Sequence, residues 1–338
     1  QRYVDLIVNA DVRDTMIMRS RIVSETRRFI DSHGFYEVET PTLLHVAGGA
    51  AARPFFTKVN ALSGEEMQLR IATELNLKRL IVGGMERVYE IGRIFRNEGL
   101  DTTHNPEFTM LELYAAYWDV ADMLDFNEAL IAHLVDVVTG GNTEIKSGDR
   151  TISFARPFAR IAYLDGIAQY SNGKFTRDRL LDPQGAAQIL YELGLPKSPT
   201  HGHALDKIFE RVLEPNLVQP TFVTDYPVVI SPLAKRKAND RELVDRYELF
   251  GGNMELSNAF TELNDPDDQR ARFEAQIVDR AKGDEEIPEP DWDFVRALEY
   301  GMPPTAGIGI GMDRLIMLLT NSASIRDVLL FPLQRQHG

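Results

Sequence analysis

Apolar residues recur every three to four positions in several stretches of the chain, which is the spacing of an amphipathic α-helix. The longest such stretch follows Asn9, an expected N-cap, and ends at Gly34, a residue typical of helix C-termini. Asp119 and Asp265 are expected to cap two later helices. The pattern predicts helices over residues 11–33, 74–82, 119–139, 266–282 and 313–319.

Other stretches alternate apolar and polar residues, which predicts half-buried strands and hairpins. These stretches cover residues 36–40, 88–95, 220–226, 246–250 and 254–263, with a hairpin pattern over 143–154. Because hairpins outnumber βαβ units, we expect an α+β fold with an antiparallel sheet flanked by helices, and not a Rossmann-type sheet.

A long segment between these strands, residues 156–215, has a helical pattern interrupted at Gly173, Pro183 and Pro199. The residues in it do not suggest any chemistry. We therefore expect it to be a helical insertion within one larger domain that spans residues 1–338.

The composition of the chain argues against several classes of protein and of functional site. The chain has 338 residues, 43% hydrophobic and 26% charged, with a net charge of −14. These values argue against a uniformly basic nucleic-acid surface. The sequence contains no cysteine, which excludes disulfides, thiolate metal sites and a cysteine nucleophile. No apolar run reaches the roughly 18 residues of a membrane span, so we expect a cytoplasmic protein without membrane association.

Charged residues surround a polar loop at residues 99–105 and continue into the strand that follows it. Arg96 is a candidate ligand for phosphate or carboxylate, because a planar guanidinium binds such groups in a bidentate way. Taken alone, however, Arg96 with Glu98 and His104 fits a surface ion pair on a turn better. Glu112, in the apolar stretch that follows, is a candidate ligand for a cation.

Two further groups suggest phosphate chemistry. The run Gly307-Ile-Gly-Ile-Gly311 would let a backbone or a flat ring lie close to a strand, and Arg314 follows at the start of a helix, where anions are favoured. Tight packing of strand against helix is the alternative explanation. Glu248 and Glu255 flank the turn at residues 251–253, and as a pair across a hairpin they would share Mg²⁺ with phosphate oxygens unless both face solvent.

A last group suggests an ammonium site. Glu262 lies in an otherwise apolar strand, where a lone charge is costly. If Glu74, Glu112 and Tyr114 converge on it, the carboxylates and the phenol would hold an ammonium ion. The alternative is a structural ion pair between Glu262 and an arginine of the core.

Taken together, these segments resemble the three signature motifs of class II aminoacyl-tRNA synthetases. Residues 11–41 resemble motif 1, residues 96–114 motif 2 and residues 307–318 motif 3. Within the class, the segments 48–55, 104–114 and 258–265 are similar to the lysine-specific, bacterial-type branch.

The resemblance extends from Arg2 to Pro332 and implies the catalytic domain of that branch. The family's N-terminal anticodon-binding OB-fold barrel does not occur in this sequence. Since the chain opens with Gln1 instead of Met, we expect a fragment or a processed product. Without the barrel, tRNA discrimination through the anticodon should be poor, although adenylate formation should remain.

The resemblance implies a role for each candidate residue. Arg96 would hold the α-phosphate of ATP and the lysine carboxylate, and Arg314 the γ-phosphate. Glu98 and His104 would contact the nucleotide, and Phe108 would stack on adenine. Glu248 and Glu255 would bind Mg²⁺. The lysine contacts would be Gly49 and Glu74 with the α-amino group, Asn258 with the carboxylate, Glu112, Tyr114 and Glu262 with the ε-ammonium, and Phe260 along the stem.

The activity implied is that of a lysine–tRNA ligase, which forms lysyl-adenylate from L-lysine and ATP and transfers lysyl to the acceptor end of tRNA(Lys). Motif 1 implies a homodimer. One alternative is a ligase that attaches lysine to a protein such as elongation factor P. Another is a non-catalytic synthetase-like regulator, which retention of Arg96, Arg314, Glu248 and Glu255 argues against.

Overall fold

Three β-sheets organise the chain. The computed structural model describes residues 1–283 and 287–333. Within them the strands are β1 (Tyr36–Glu37), β2 (Leu43–Leu44), β3 (Phe56–Val59), β4 (Glu65–Leu69), β5 (Arg87–Phe95), β6 (Glu107–Ala116), β7 (Glu144–Ser147), β8 (Arg150–Ser153), β9 (Ala159–Ala162), β10 (Thr221–Thr224), β11 (Arg246–Gly251), β12 (Met254–Thr261) and β13 (Thr305–Gly311).

The main sheet has eight strands in the order β1-β5-β6-β13-β12-β11-β10-β9. Its centre is antiparallel, whereas the edge pairs β1–β5 and β9–β10 are parallel. Strands β2, β4 and β3 form a small second sheet, and β7 and β8 form the predicted hairpin. The α+β architecture expected from the sequence is therefore confirmed, with parallel pairing at both edges in addition.

Helices cover the sheet and form a lobe at its β9 edge. They are α1 (Arg2–Val8), α2 (Ala10–Ser32), α3 (Glu74–Val82), α4 (Val120–Thr139), α5 (Tyr163–Tyr170), α6 (Arg177–Leu181), α7 (Pro183–Glu192), α8 (His201–Val212), α9 (Pro266–Ala281), α10 (Trp292–Glu299), α11 (Met312–Leu319) and α12 (Ile325–Val328), with short 3₁₀ turns at Asn60–Leu62, Glu214–Asn216 and Val228–Ile230. Among the described helices, none combines the length and apolarity needed to cross a bilayer.

Most of the expected helix ends are present. Asp119 forms a capping box at α4, and the side chain of Asp265 accepts backbone hydrogen bonds at the start of α9. Asn9 is the N-cap residue of α2, as expected, but its side chain makes no cap bond. It donates to Asp5 of the preceding helix α1 over 2.6 Å, and the sequence pattern did not predict that helix.

Two predicted segments differ from the structure. The strand expected over residues 36–40 is only β1, because the backbone N–H and hydroxyl of Thr40 donate to the Glu90 side chain and not to a neighbouring strand. The segment predicted to be helical, 156–215, includes β9, whose four residues are too few for a stable helix and pair instead with the exposed edge of β10.

Separate apolar clusters lie beneath these layers. The largest packs α2, α4 and α11 against one face of the main sheet. A second joins α5, α7 and α8 to strands β10 and β11 near the β9 edge, so the predicted insertion shares its core with the sheet. A third surrounds α3 and α10. The opposite face of the central strands is left to form a cavity.

Candidate active site

A cavity of about 360 Å³ lies over the central strands of the main sheet. Every candidate residue from the sequence except Glu262 lines it. These lining residues are Gly49, Glu74, Arg96, Glu98, His104, Phe108, Glu112, Tyr114, Glu248, Glu255, Asn258, Phe260 and Arg314. The structure thus brings together residues that are separated by up to 265 positions in the chain.

Strand register explains why these side chains meet. One row across four strands contains Tyr114, Gly307, Phe260 and Arg246. Residues two positions apart on a strand share a face. The neighbouring row contains Glu112, Gly309, Asn258 and Glu248.

The glycines of β13 therefore form the floor of the cavity, and side chains from the flanking strands form its walls. A Cβ on Gly307 would overlap with Tyr114 and Glu262, so a glycine is required for their close approach. The glycine run was expected either to let a ligand lie close to the strand or to allow tight packing of strand against helix. This geometry is compatible with both.

The acidic end of the cavity is formed by α3 and β6. Glu74, the first residue of α3, and Glu112 are 7% and 3% exposed. Burial and the nearby Glu74 raise the pKa of Glu112 to about 7, although the Thr73 backbone N–H donates to it over 3.0 Å. Gly49 has a φ of +91°, and a Cβ there would come within 3.1 Å of the Glu74 Cβ. This end of the cavity is a buried site of negative charge.

Glu262 lies behind the cavity wall, next to Tyr114 and Gly307, and is 1% exposed. Its carboxylate forms an ion pair with Lys78 of α3, so the expected structural partner, an arginine of the core, is wrong in residue type. Neither oxygen accepts a well-directed hydrogen bond. Burial raises the pKa of Glu262 well above its usual range, and the Lys78 ammonium opposes that rise.

The opposite end of the cavity carries arginines. Arg96 follows β5, and its guanidinium lies 5.2 Å from the ring centroid of Phe108. Burial lowers the pKa of Arg96, while the carboxylates of Glu98 and Glu255 oppose that change. The surface ion pair that the residues alone favoured is not found among the described residues, because the Arg96 side chain turns to the cavity and its Nε donates to the Ile71 carbonyl oxygen over 3.4 Å.

Arg314, near the start of α11, reaches the same space. Its guanidinium contacts Glu255 over 3.4 Å and donates to His104 Nε2 over 2.8 Å. Because arginine only donates, Nε2 must accept, and Nδ1 then carries the proton and donates to Asp101 over 2.7 Å. Asp101 therefore fixes the tautomer of His104, a role the sequence did not reveal.

Glu248 and Glu255 are not opposite each other in the hairpin. Glu248 pairs with Asn258, and Glu255 pairs with Phe250 beyond a bulge, which corrects the expected cross-strand pair. Both still line the cavity. Among the described residues no three acidic or histidine side chains are grouped as for a metal ion. Two carboxylates nevertheless suit Mg²⁺, which commonly combines one or two with substrate phosphates.

Arg246 lines the cavity and was missed in the sequence. It donates to Glu248 over 2.5 Å and to Asn258 Oδ1 over 3.0 Å. The amide oxygen of Asn258 therefore faces Arg246, which leaves its NH₂ group as a donor for a carboxylate. The signal was present, since Arg246 is two residues before Glu248 and so shares its strand face.

Comparison with known proteins agrees with this geometry. The model of the family "tRNA synthetases class II (D, K and N)" matches residues 1–335. A lysine–tRNA ligase of Moorella thermoacetica is 53% identical over 99% of this chain and 68% of its own length. For those of Bacillus subtilis and Aquifex aeolicus, identity is 52% and 51%, over 67% and 55% of their lengths. The chain spans about two thirds of most such relatives, and it belongs to the class II tRNA synthetases of the D, K and N group.

Proposed function

We propose that this chain is the catalytic part of a lysine–tRNA ligase. The observation that carries the proposal is a single cavity with buried carboxylates at one end and two arginines at the other. The substrate that fits this charge distribution has two ammonium groups and reacts with a polyphosphate. The relatives of this chain are lysine–tRNA ligases, which supports the same assignment.

In the first step, a lysine carboxylate oxygen attacks the α-phosphorus of ATP, the bond to the β-phosphate bridging oxygen breaks, and pyrophosphate leaves. Arg96, which the charges of both Glu255 and Glu112 reach, would hold the carboxylate and the α-phosphate and offset charge in the transition state. Asn258 would donate to the same carboxylate. Arg314 would exchange Glu255 and His104 for the γ-phosphate, and Phe108 would stack on adenine.

In the second step, a ribose hydroxyl at the 3′ end of tRNA attacks the adenylate carbonyl and AMP leaves. The chain need not supply a covalent nucleophile for either step. Its contribution is orientation of the reacting groups and neutralisation of charge in a partly enclosed site.

Mg²⁺ would be held by Glu248 and Glu255 together with phosphate oxygens of ATP. When bound, it would neutralise negative charge on the triphosphate. Arg246 and Tyr226 hold the Glu248 carboxylate in place over 2.5 Å and 2.7 Å. Burial raises the pKa of Glu248, and the Arg246 guanidinium opposes that rise.

Selection of lysine would follow from Glu74, Glu112 and Glu262. An uncharged side chain would leave buried carboxylates without a partner, and such errors cost several kcal/mol. Gly49 and Glu74 would take the α-amino group, Phe260 would pack along the aliphatic stem, and Tyr114 with the deeper carboxylates would receive the ε-ammonium.

A homodimer through motif 1 is also proposed. The elements of that motif carry large apolar side chains that are exposed in the single chain, including Ile17 at 60% and Tyr36 at 68%. Exposed apolar side chains of this size are typical of surfaces that a partner covers.

The test is ATP–pyrophosphate exchange with each of the twenty amino acids. We expect exchange with lysine alone, because only lysine places an ammonium at both the acidic end and the α-amino site. Exchange with another amino acid, or none at all, would refute the assignment. Transfer of labelled lysine to tRNA, compared with transfer to elongation factor P, then separates a tRNA ligase from a protein ligase.

A further inference from the structure

Lys78 is a buried cation whose function is not explained by the proposed reaction. It lies one helical turn after Glu74 on α3 and is 0% exposed. Its ammonium donates to Glu74 Oε1 over 2.5 Å and forms an ion pair with Glu262. The rings of Phe260 and Phe294 lie 5.5 Å and 5.6 Å from it.

Burial of this ammonium is costly unless negative charge compensates it. Burial alone would lower the pKa of Lys78, but the carboxylates of Glu262 and Glu74 raise it, so the side chain is a permanent cation. Arg79, the next residue, needs no such site, because it reaches the surface and pairs with Asp291 over 2.9 Å.

Carboxyl groups gather around one ammonium at this end of the cavity. Those of Glu74 and Glu262 contact Lys78, and that of Glu112 lies nearby. Burial raises the pKa of Glu262 and of Glu112, so an ammonium from a ligand would favour the ionised form of both. A diamino acid supplies two ammonium groups, and Arg96 and Asn258 would bind its carboxylate.

We propose that Lys78 is a positioning residue for substrate selection: it holds the carboxylates of Glu74 and Glu262 in place and favours the charged form of Glu262, so that both can receive the ammonium groups of a diamino acid. This inference rests on the proposed function. It assigns a role in lysine binding to a cation that does not itself contact the substrate. Without the Lys78 ammonium, the effect of burial on Glu262 would no longer be opposed, so its neutral form would be favoured and its attraction for an ammonium lost.

The experiment compares the wild-type chain with Lys78→Met, Lys78→Arg and the control Arg79→Met. Lysine-dependent exchange by the wild type is measured first, because its absence would refute the proposed function and not this inference. For Lys78→Met at about pH 7 we expect the KM for lysine to rise at least about tenfold with the KM for ATP within about twofold. Lys78→Arg should keep most of the lysine affinity, and Arg79→Met should change neither KM.

The pH dependence separates selection from a merely structural role. In Lys78→Met the KM for lysine should fall more steeply with rising pH than it does in the wild type, because the Glu262 carboxyl must ionise in addition to that of Glu112. The KM for ATP should not follow. Equal changes in both KM values, or a lysine KM with the same pH profile as in the wild type, would overturn the proposal.

A second variant, Lys78→Cys, tests the proposal if Lys78→Met folds poorly. Because the natural chain has no cysteine, Lys78→Cys can be alkylated selectively in denaturant and refolded. Aminoethylation restores an ammonium of matching length, whereas a propyl group of the same shape is neutral. We expect only the aminoethyl form to regain the lysine KM, to within about threefold of the wild type. If only the aminoethyl form melts cooperatively, Lys78 acts in folding and the proposal is overturned.

Discussion

Gly307→Ala is expected to impair lysine binding while leaving ATP binding intact. Gly307 lies in β13 between Tyr114 of β6 and Phe260 of β12. A Cβ there would come closer than 3.0 Å to the Tyr114 ring and to a Glu262 oxygen. Both groups are buried and held by neighbours, so neither can move away freely. The backbone of Gly307 has an ordinary φ, and the cost is therefore steric.

The size of the effect follows from the cost of overpacking. One added methyl group in a well-packed site costs about 1–3 kcal/mol. If this cost falls on the Tyr114 and Glu262 arrangement that receives lysine, the KM for lysine rises about 5-fold to 150-fold. The KM for ATP should remain within about twofold, because the proposed nucleotide contacts are at the opposite end of the cavity.

Gly309→Ala is the matched control, two residues along the same strand and on the same face. Its Cβ would meet the Cε of Met110 at 2.5 Å, and Met110 can rotate away because its side chain is flexible. Exchange assays with varied lysine or ATP, together with thermal melts, separate binding from folding. The reasoning is refuted if both alanine variants raise the lysine KM equally, or if Gly307→Ala raises the ATP KM as much as the lysine KM.

Four further predictions concern the same site and the proposed interface. Arg96→Ala should abolish lysine-dependent exchange, and near-normal exchange would contradict its role. Glu262→Gln should raise the KM for lysine far more than that for ATP; equal increases would count against an ammonium site. Because the pKa of Glu112 is raised to about 7, its charge is lost as pH falls below that value, so the wild-type KM for lysine should rise on acidification, and a flat profile would contradict this. In sedimentation the chain should have nearly twice its mass of 38.2 kDa, and a concentration-independent monomer would remove the dimer.

Short-range sequence patterns predicted the central strands of the main sheet, but they did not predict the parallel pairing at its two edges. Helix α3 was predicted with its observed ends, and the strands that became β5, β11 and β12 nearly so. Such elements follow from short-range periodicity and from turn residues. The parallel pairs β1–β5 and β9–β10 join segments about 50 to 60 residues apart. Strand β1 was predicted, but as a longer strand than its two residues, and β9 has only four residues, too few for a periodic pattern to reveal it.

The candidate site was predictable where its residues carry a motif. Arg96, Glu112 and Arg314 were candidates from their charge and position, the family resemblance then gave each a role, and all three line the cavity. Arg246 and Lys78 were not candidates. The two-residue spacing placed Arg246 on the same strand face as Glu248, but for neither residue does the sequence show that the side chain is buried. Lys78 and Arg79 are adjacent in sequence, yet only Lys78 is enclosed between carboxylates.

Ion pairs between cavity residues determine how much of each substrate contact appears as affinity. Arg314 contacts Glu255 and His104, and Glu248 contacts Arg246, so charged groups proposed to meet ATP and Mg²⁺ already have partners within the chain. Substrate binding would then exchange one set of partners for another, and only the difference would appear as affinity. The acidic end differs, because its one buried cation leaves an excess of carboxylates. Discrimination among amino acids should therefore depend mostly on that end, where the correct substrate supplies charge that the protein lacks.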